Sequence, residues 1–313
     1  MMLKVFFVFI SIILVVVNSY KIGSPSLAFV PLYRRGTRLL SSTFETSVSP
    51  EVVNESPSPP PTTSTTSSSS SNTTSLPYLA ERRPLKTALL ALAARTKRGE
   101  IANEKEKTLA LELITKLEGY NPINNPCNDE LALGKWELIY SNTNLFRSSP
   151  FWMAARAVCQ EGDQASTFNT FCDLHRDALA FTNVGRITQI ISSTSLISEF
   201  ETIVPLVPGL PFTITGTILS NSDIVSSTSN SWTLFMDNVT IKEDTSNIPF
   251  FNNLLNQFKG LPIRSLGSFL EENTNTITGY TNPKPIFYTY YVDTHMRISR
   301  DQDDNVFVYN RVL

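Results

Sequence analysis

The stretch Gly134-Lys135-Trp136-Glu137-Leu138-Ile139-Tyr140-Ser141 decides the architecture. Trp136, Leu138 and Tyr140 alternate with Glu137 and Ile139, a period of two that gives a strand one buried aromatic face and one mixed face. The same period continues downstream. Runs over 184–192, 195–204, 212–220 and 231–242 are rich in Ile, Thr, Val and Phe and are parted by Pro, Gly, Asn and Ser turn signals. At the carboxyl end, Ile286 to Arg300 and Val306 to Val312 flank the polar turn Asp301-Gln302-Asp303-Asp304-Asn305. Seven or eight strands in antiparallel succession predict a mainly β fold, an up-and-down barrel over 131–313 whose closure leaves no exposed strand edge.

Upstream of this stretch the period is helical. Leu85, Leu89 and Leu92, then Leu109, Leu113 and Leu117, predict a helix pair over 84–119, parted near Gly99 and lying outside the barrel. Pro84 suits a first turn, and Gly119-Tyr120-Asn121-Pro122 is a stop signal, because glycine relaxes the backbone and proline cannot continue it. Two segments interrupt the strands. An insert spans Phe146 to Thr182, with an irregular helical part at 150–180. A short amphipathic helix at 249–261 sets Phe250, Phe251, Leu254, Leu255 and Phe258 against Asn252, Asn253, Gln257 and Lys259. Either segment could close a barrel end or simply fill the core.

Before residue 77 the chain does not read as a folded domain. Lys4 precedes an apolar run, Val5 to Val17, which fits a secretory signal over 1–28 and is short for a bilayer span. Residues 29–45 hold Arg34, Arg35 and Arg38 with hydroxyl residues and no acid before Glu45, a transit-peptide composition. Together they resemble the bipartite leader of algae whose plastid came from a eukaryotic endosymbiont, with Phe29 at the position after cleavage. A plain secreted chain is the alternative, to which the sequons at Asn54, Asn72 and Asn238 would belong. Residues 46–76 are nearly all Ser, Thr and Pro, with too few apolar side chains to offset the entropy of ordering, so they read as a linker. The folded domain is expected over 77–313.

Composition removes several function classes. Lys plus Arg number 26 against 28 Asp plus Glu, a net charge of −2, so no strong field draws nucleic acid or another polyanion. Cys127, Cys159 and Cys172 form no CxxC or Cys/His cluster, which leaves no expected metal; a Cys159–Cys172 disulfide stays open. His175 and His295 are the two histidines, and neither has the spacing of a metal pair. No GxSxG, phosphate-cradling glycine loop or dinucleotide fingerprint is present, so no cofactor is expected. A hydrolase built on His175 with Asp173 or Asp177 is the weakest reading, because a lone histidine is usually polar surface.

Leu117-Glu118-Gly119-Tyr120-Asn121-Pro122, Pro126 and Leu133 to Ser141 resemble the opening of the plastid-lipid-associated proteins, or fibrillins. Tyr291-Val292-Asp293-Thr294-His295-Met296-Arg297-Ile298-Ser299-Arg300, followed by Val306-Phe307-Val308, is similar to that family's closing hairpin, and Gly185 to Ile190 to a weaker internal motif. Val292, Met296, Ser141 and Asp301 depart from the family pattern, as does the 146–182 insert. The resemblance implies a lipocalin-like barrel in which Trp136 packs under Arg297 or Arg300, a cation–π contact of about 1 to 2 kcal/mol, with Asp293 neutralising the arginine. On that basis the trio closes one barrel end, and Tyr140 becomes the candidate for a cavity wall.

The implied function is non-catalytic: binding or sequestration of a small hydrophobic lipid of the prenylquinone, carotenoid or fatty-acid class, in a plastid, at thylakoids or plastoglobules. The alternative is a structural coat on plastid membranes or lipid droplets, with Phe250, Phe251, Leu254, Leu255 and Phe258 as an interfacial anchor.

Overall fold

The computed structural model describes residues 76–159, 163–179, 183–205, 213–246, 260, 262–278 and 281–312. Eight strands close in sequence order into a barrel. They are β1 (Gly134–Ser141), β2 (Asn183–Ile191), β3 (Ser195–Pro205), β4 (Thr213–Ser227), β5 (Ser231–Ser246), β6 (Ile286–Val292), β7 (Met296–Arg300) and β8 (Val306–Arg311). Every neighbouring pair is antiparallel, and β1 bonds to both β2 and β8, so the terminal strands meet edge to edge. The lipocalin-like barrel expected from the sequence is therefore the observed fold.

Two differences have local causes. The run from Ile286 to Arg300 is two strands, not one, because Asp293 Oδ1 accepts the backbone N–H groups of His295 and Met296, each at 2.8 Å, and turns the chain. A run of apolar residues on both sides conceals that turn. β4 and β5 also run further than their apolar patterns, to Ser227 and Ser246, and share three register shifts. The last residues, Ser226 and Ser227 in β4 and Glu243 to Ser246 in β5, are polar in sequence, so no apolar pattern marks them.

Helices α1 (Leu76–Arg95) and α2 (Glu104–Gly119) lie on the outside of the barrel, as expected. Asn103 and Glu106 form a reciprocal capping box at the start of α2. Pro84 falls inside α1 rather than in its first turn, since the helix begins at Leu76. Of the leucines at helical spacing in α2, Leu109 is exposed; the buried face is Ala110, Leu113, Ile114 and Leu117. This face and Leu89, Leu92 and Ala93 of α1 pack with Tyr140, Tyr291, Met296, Ile298, Val306 and Val308 on the outer barrel wall.

Between the helices, Gly99 adopts φ of 96°, and a Cβ there would lie 2.0 Å from the Ser141 carbonyl oxygen. That closeness lets the Arg98 carbonyl accept from the Ser141 N–H at 3.0 Å. The Arg98 guanidinium meanwhile donates to the carbonyls of Gly185 and Val184 at 2.7 and 3.1 Å. The loop thus extends the ends of β1 and β2.

The insert contains two helices, α3 (Pro150–Val158) and α4 (Asp163–Leu179). Phe151, Trp152, Met153 and Ala154 of α3 join the interior cluster with Leu138, Ile187, Leu196, Leu234 and Phe307. α3 therefore packs inside the barrel against β3, β4 and β5. A further helix, α5 (Ile263–Thr278), was not expected from the sequence; its second half is rich in Glu, Asn and Thr, which hides the helical period. Arg264 ties it to β4 and to the ring of Phe235, 4.8 Å from the guanidinium carbon. The helix expected at 249–261 falls almost wholly outside the described residues, as do residues 1–75 with the expected leader and linker. Cys127, Cys159 and Cys172 are free thiols, so the Cys159–Cys172 disulfide is not formed.

Candidate functional site

The segment before β1 folds into two short 3-10 turns, Pro126–Asn128 and Glu130–Ala132, that lie across one barrel end. Two buried indoles hold them. Trp136 Nε1 donates to the Ala132 carbonyl at 2.9 Å, and Trp232 Nε1 to the Cys127 carbonyl at 3.0 Å. Burial pushes the Cys127 thiol up to about 12, which keeps it protonated and unreactive at neutral pH.

Trp136 does lie near Arg297, whose guanidinium carbon is 5.6 Å from the ring centroid. The closer cation is Arg311 of β8, at 4.2 Å. It donates from Nε to the Thr294 carbonyl and from Nη1 to the Leu133 carbonyl, each at 3.0 Å, and from Nη2 to that of Leu131. Gly134, at φ of 112°, leaves room for it, because a Cβ there would come within 2.9 Å of Arg311 Nη1. Reading Arg311 from sequence would have required the β1–β8 register, in which Trp136 faces Arg311.

Arg300 does not reach the indole. It forms a two-pronged ion pair with Glu118 of α2, with Nε and Nη2 each at 2.9 Å, and its Nη1 meets Asp304 at 2.9 Å. The reason is parity: three residues apart on one strand, Arg297 and Arg300 take opposite faces. Asp293 likewise neutralises neither arginine. It binds Lys86 of α1 at 2.6 Å and the buried Tyr291 hydroxyl at 2.5 Å, and these contacts hold its carboxyl below the usual range against the opposing effect of burial.

Tyr140 is fully buried, but in the outer cluster beneath α1 and α2, away from the barrel interior. A register shift between Leu138 and Tyr140 in the β1–β8 ladder accompanies the change of face that strict alternation forbids. The cavity-wall position expected for Tyr140 is thus replaced by a place in the helix–barrel contact.

At the far end, His175 of α4 is 4 % exposed, contrary to its expected surface position. Its ring lies 4.6 Å from that of Phe146, edge on, and 4.8 Å from that of Trp152. Desolvation lowers its pKa to about 4, so it is neutral at physiological pH. Asp173 and Asp177, its imagined catalytic partners, pair instead with the exposed Arg176. The insert is clasped to the β7–β8 turn by Arg147 and Arg156, which meet Asp303 at 2.6 and 2.9 Å. Phe250, Phe251, Leu254, Leu255 and Phe258 lie outside the described residues. Among the described residues, no group of three or more His, Cys, Asp or Glu could hold a metal ion.

The barrel interior thus combines aromatic and aliphatic walls, an end closed by two indoles, and helix α3 packed against β3, β4 and β5. Comparison with known proteins adds to this. The PAP_fibrillin family model matches residues 83–310. A stretch of 63 residues, 20 % of this chain, is 35 % identical to the "Probable plastid-lipid-associated protein 5, chloroplastic" of Arabidopsis thaliana and covers 27 % of that relative.

Proposed function

Because the chain belongs to the PAP_fibrillin family, we propose that it binds or sequesters a hydrophobic plastid lipid, of the prenylquinone, carotenoid or fatty-acid class, inside its barrel and without chemistry. The observation that carries this reading is the insert. Phe151, Trp152 and Met153 fill the lumen from a helix that is not part of the barrel wall, so an apolar guest can exchange for them without breaking a strand ladder. Trp136 with Arg297 and Arg311 seals the opposite end. The name of the chloroplastic relative supports a plastid address. The proposed route uses a signal over 1–28, a transit segment over 29–45 and a linker over 46–76 ahead of the 77–313 domain. Mass spectrometry of lipids extracted from the purified protein tests the reading; repeated recovery of no lipid overturns it.

A second reading, a coat on thylakoids or plastoglobules, has one observation in its favour. Leu90, Ile101, Leu109 and Leu111 are exposed on the helix pair and its connecting loop. Phe250, Phe251, Leu254, Leu255 and Phe258 are the proposed anchor. Flotation with liposomes, compared between the native chain and Phe250→Asp plus Leu254→Asp, tests it; equal flotation of the two overturns the assigned anchor.

A further inference from the structure

Arg297 stands on the inner face of β7 and is fully buried. Its Nη1 donates to Ser299 Oγ at 2.9 Å and its Nη2 to Gln189 Oε1, while Nε has no hydrogen-bond partner among the described residues. Its guanidinium carbon lies 4.2 Å from the ring centroid of Tyr309 and 5.7 Å from that of Phe287. These neighbours are dipoles and ring quadrupoles; none carries a full negative charge. Among the described residues no carboxylate pairs with it. The fold supplies carboxylates to its more accessible arginines, Glu118 and Asp304 to Arg300, Asp301 and Asp303 to Arg147. The most deeply buried guanidinium receives none. Desolvation lowers its pKa to about 10, which leaves it a cation at neutral pH. A buried cation without a counter-ion is among the most expensive groups a core can hold.

A polar row leads away from this cation. Gln189, Ser198 and Ser220 face one another across β2, β3 and β4, and all three are buried. Gln189 Nε2 donates to the Ser148 carbonyl at 2.8 Å, and the Ser149 hydroxyl lies 3.0 Å from that of Ser220, which brings the amino end of α3 to the row. The Ser198 hydroxyl makes no hydrogen bond among the described residues. A guanidinium lacking a partner at Nε, the positive end of a nine-residue helix and a spare hydroxyl thus line the same interior, with no carboxylate paired to them among the described residues.

We propose that this interior takes a carboxylate at Arg297, either the head of an acyl lipid or a small free carboxylate. The inference rests on the lipid-carrier reading and names the head group it would favour. One full positive charge matches one monovalent anion, whereas a phosphate dianion would remain half uncompensated. A carboxylate oxygen accepts from Nε, and an acyl tail runs along Leu196, Leu234 and Met236 in place of Phe151 and Trp152.

The test uses the full-length chain freed of lipid, titrated with oleate and with oleyl alcohol, each with and without excess acetate, for the native protein and for Arg297→Gln and Arg297→Lys. Oleate should bind at least about tenfold more tightly than the alcohol. The ratio should fall towards one in Arg297→Gln and recover in part in Arg297→Lys. Acetate that leaves oleate affinity unchanged identifies the acyl lipid as the source of the carboxylate; acetate that competes identifies the free ion. Equal affinity for oleate and the alcohol in the native chain overturns the head-group assignment but not the carrier reading. Binding of neither overturns the head-group assignment, and the carrier reading is then decided separately by the lipids extracted from the purified protein. If the variants fail to fold, carbon-13 NMR of carboxyl-labelled oleate on the native chain decides: the bound carboxyl should stay ionised to lower pH than free oleate, and titration at the ordinary value refutes the proposal.

Discussion

Arg311 shows how a terminal side chain can seal a barrel. Its guanidinium lies over the indole of Trp136 while its three nitrogens satisfy carbonyls from Leu131, Leu133 and Thr294, joining β8 to the segment before β1 and to the β6–β7 turn. Arg311→Ala removes the cation–π contact and leaves those carbonyls unmet, and should lower stability by about 2 to 3 kcal/mol, read as an earlier urea midpoint. His175 makes a different prediction. Its folded pKa, about 4, lies below the ordinary imidazole value of 6.5, so between those limits the unfolded chain takes up a proton that the folded chain refuses. Stability should therefore fall as pH drops from 6.5 towards 4, by up to roughly 3 kcal/mol, with no further loss from this group below that range. Carboxylates titrate in part of the same window, so the useful quantity is the difference between the native chain and His175→Phe in urea unfolding across pH. The variant should lose less stability on acidification; parallel pH profiles would refute the assignment.

At the scale of elements, the helix pair is fastened to the barrel at a few points. Gly99 brings the loop against Ser141, Glu118 of α2 grips Arg300, and Lys86 of α1 grips Asp293. Gly99→Ala combines a positive φ with a Cβ 2.0 Å from a backbone oxygen, and neither can relax without lifting the loop from β1. We expect a loss of at least about 3 kcal/mol, with faster amide exchange in α1 and α2 than in β2 and β3. Unchanged exchange in the helices would mean that the pair is held mainly by its apolar face. Much of this level is legible in the sequence: the strand alternation in β1, the stop at Gly119 to Pro122, and the outer placement of the helices. The bulge that carries Tyr140 outward is not, because it arises in the pairing of β1 with β8, 165 or more residues away along the chain. Strand parity did hold one unused signal, since it forbids Arg297 and Arg300 from sharing an indole.

For the whole molecule, closure is the organising constraint. β8 is the partner of both β1 and β7, so a chain ending at Asp301 would leave two open edges and an uncovered interior. Such a truncation should show no cooperative urea transition, whereas a sharp one would mean that seven strands suffice. The amino-acid sequence by itself determined the class of fold, because a period of two and turn residues at intervals are local properties that each segment carries alone. It also determined the family, through short motifs at the two ends of the domain. The tertiary structure decided which cation covers Trp136, which face Tyr140 takes, that His175 is buried and that α3 enters the lumen. Each of these depends on register and packing between segments far apart in the chain, where the environment of a side chain is set by neighbours that no local pattern names.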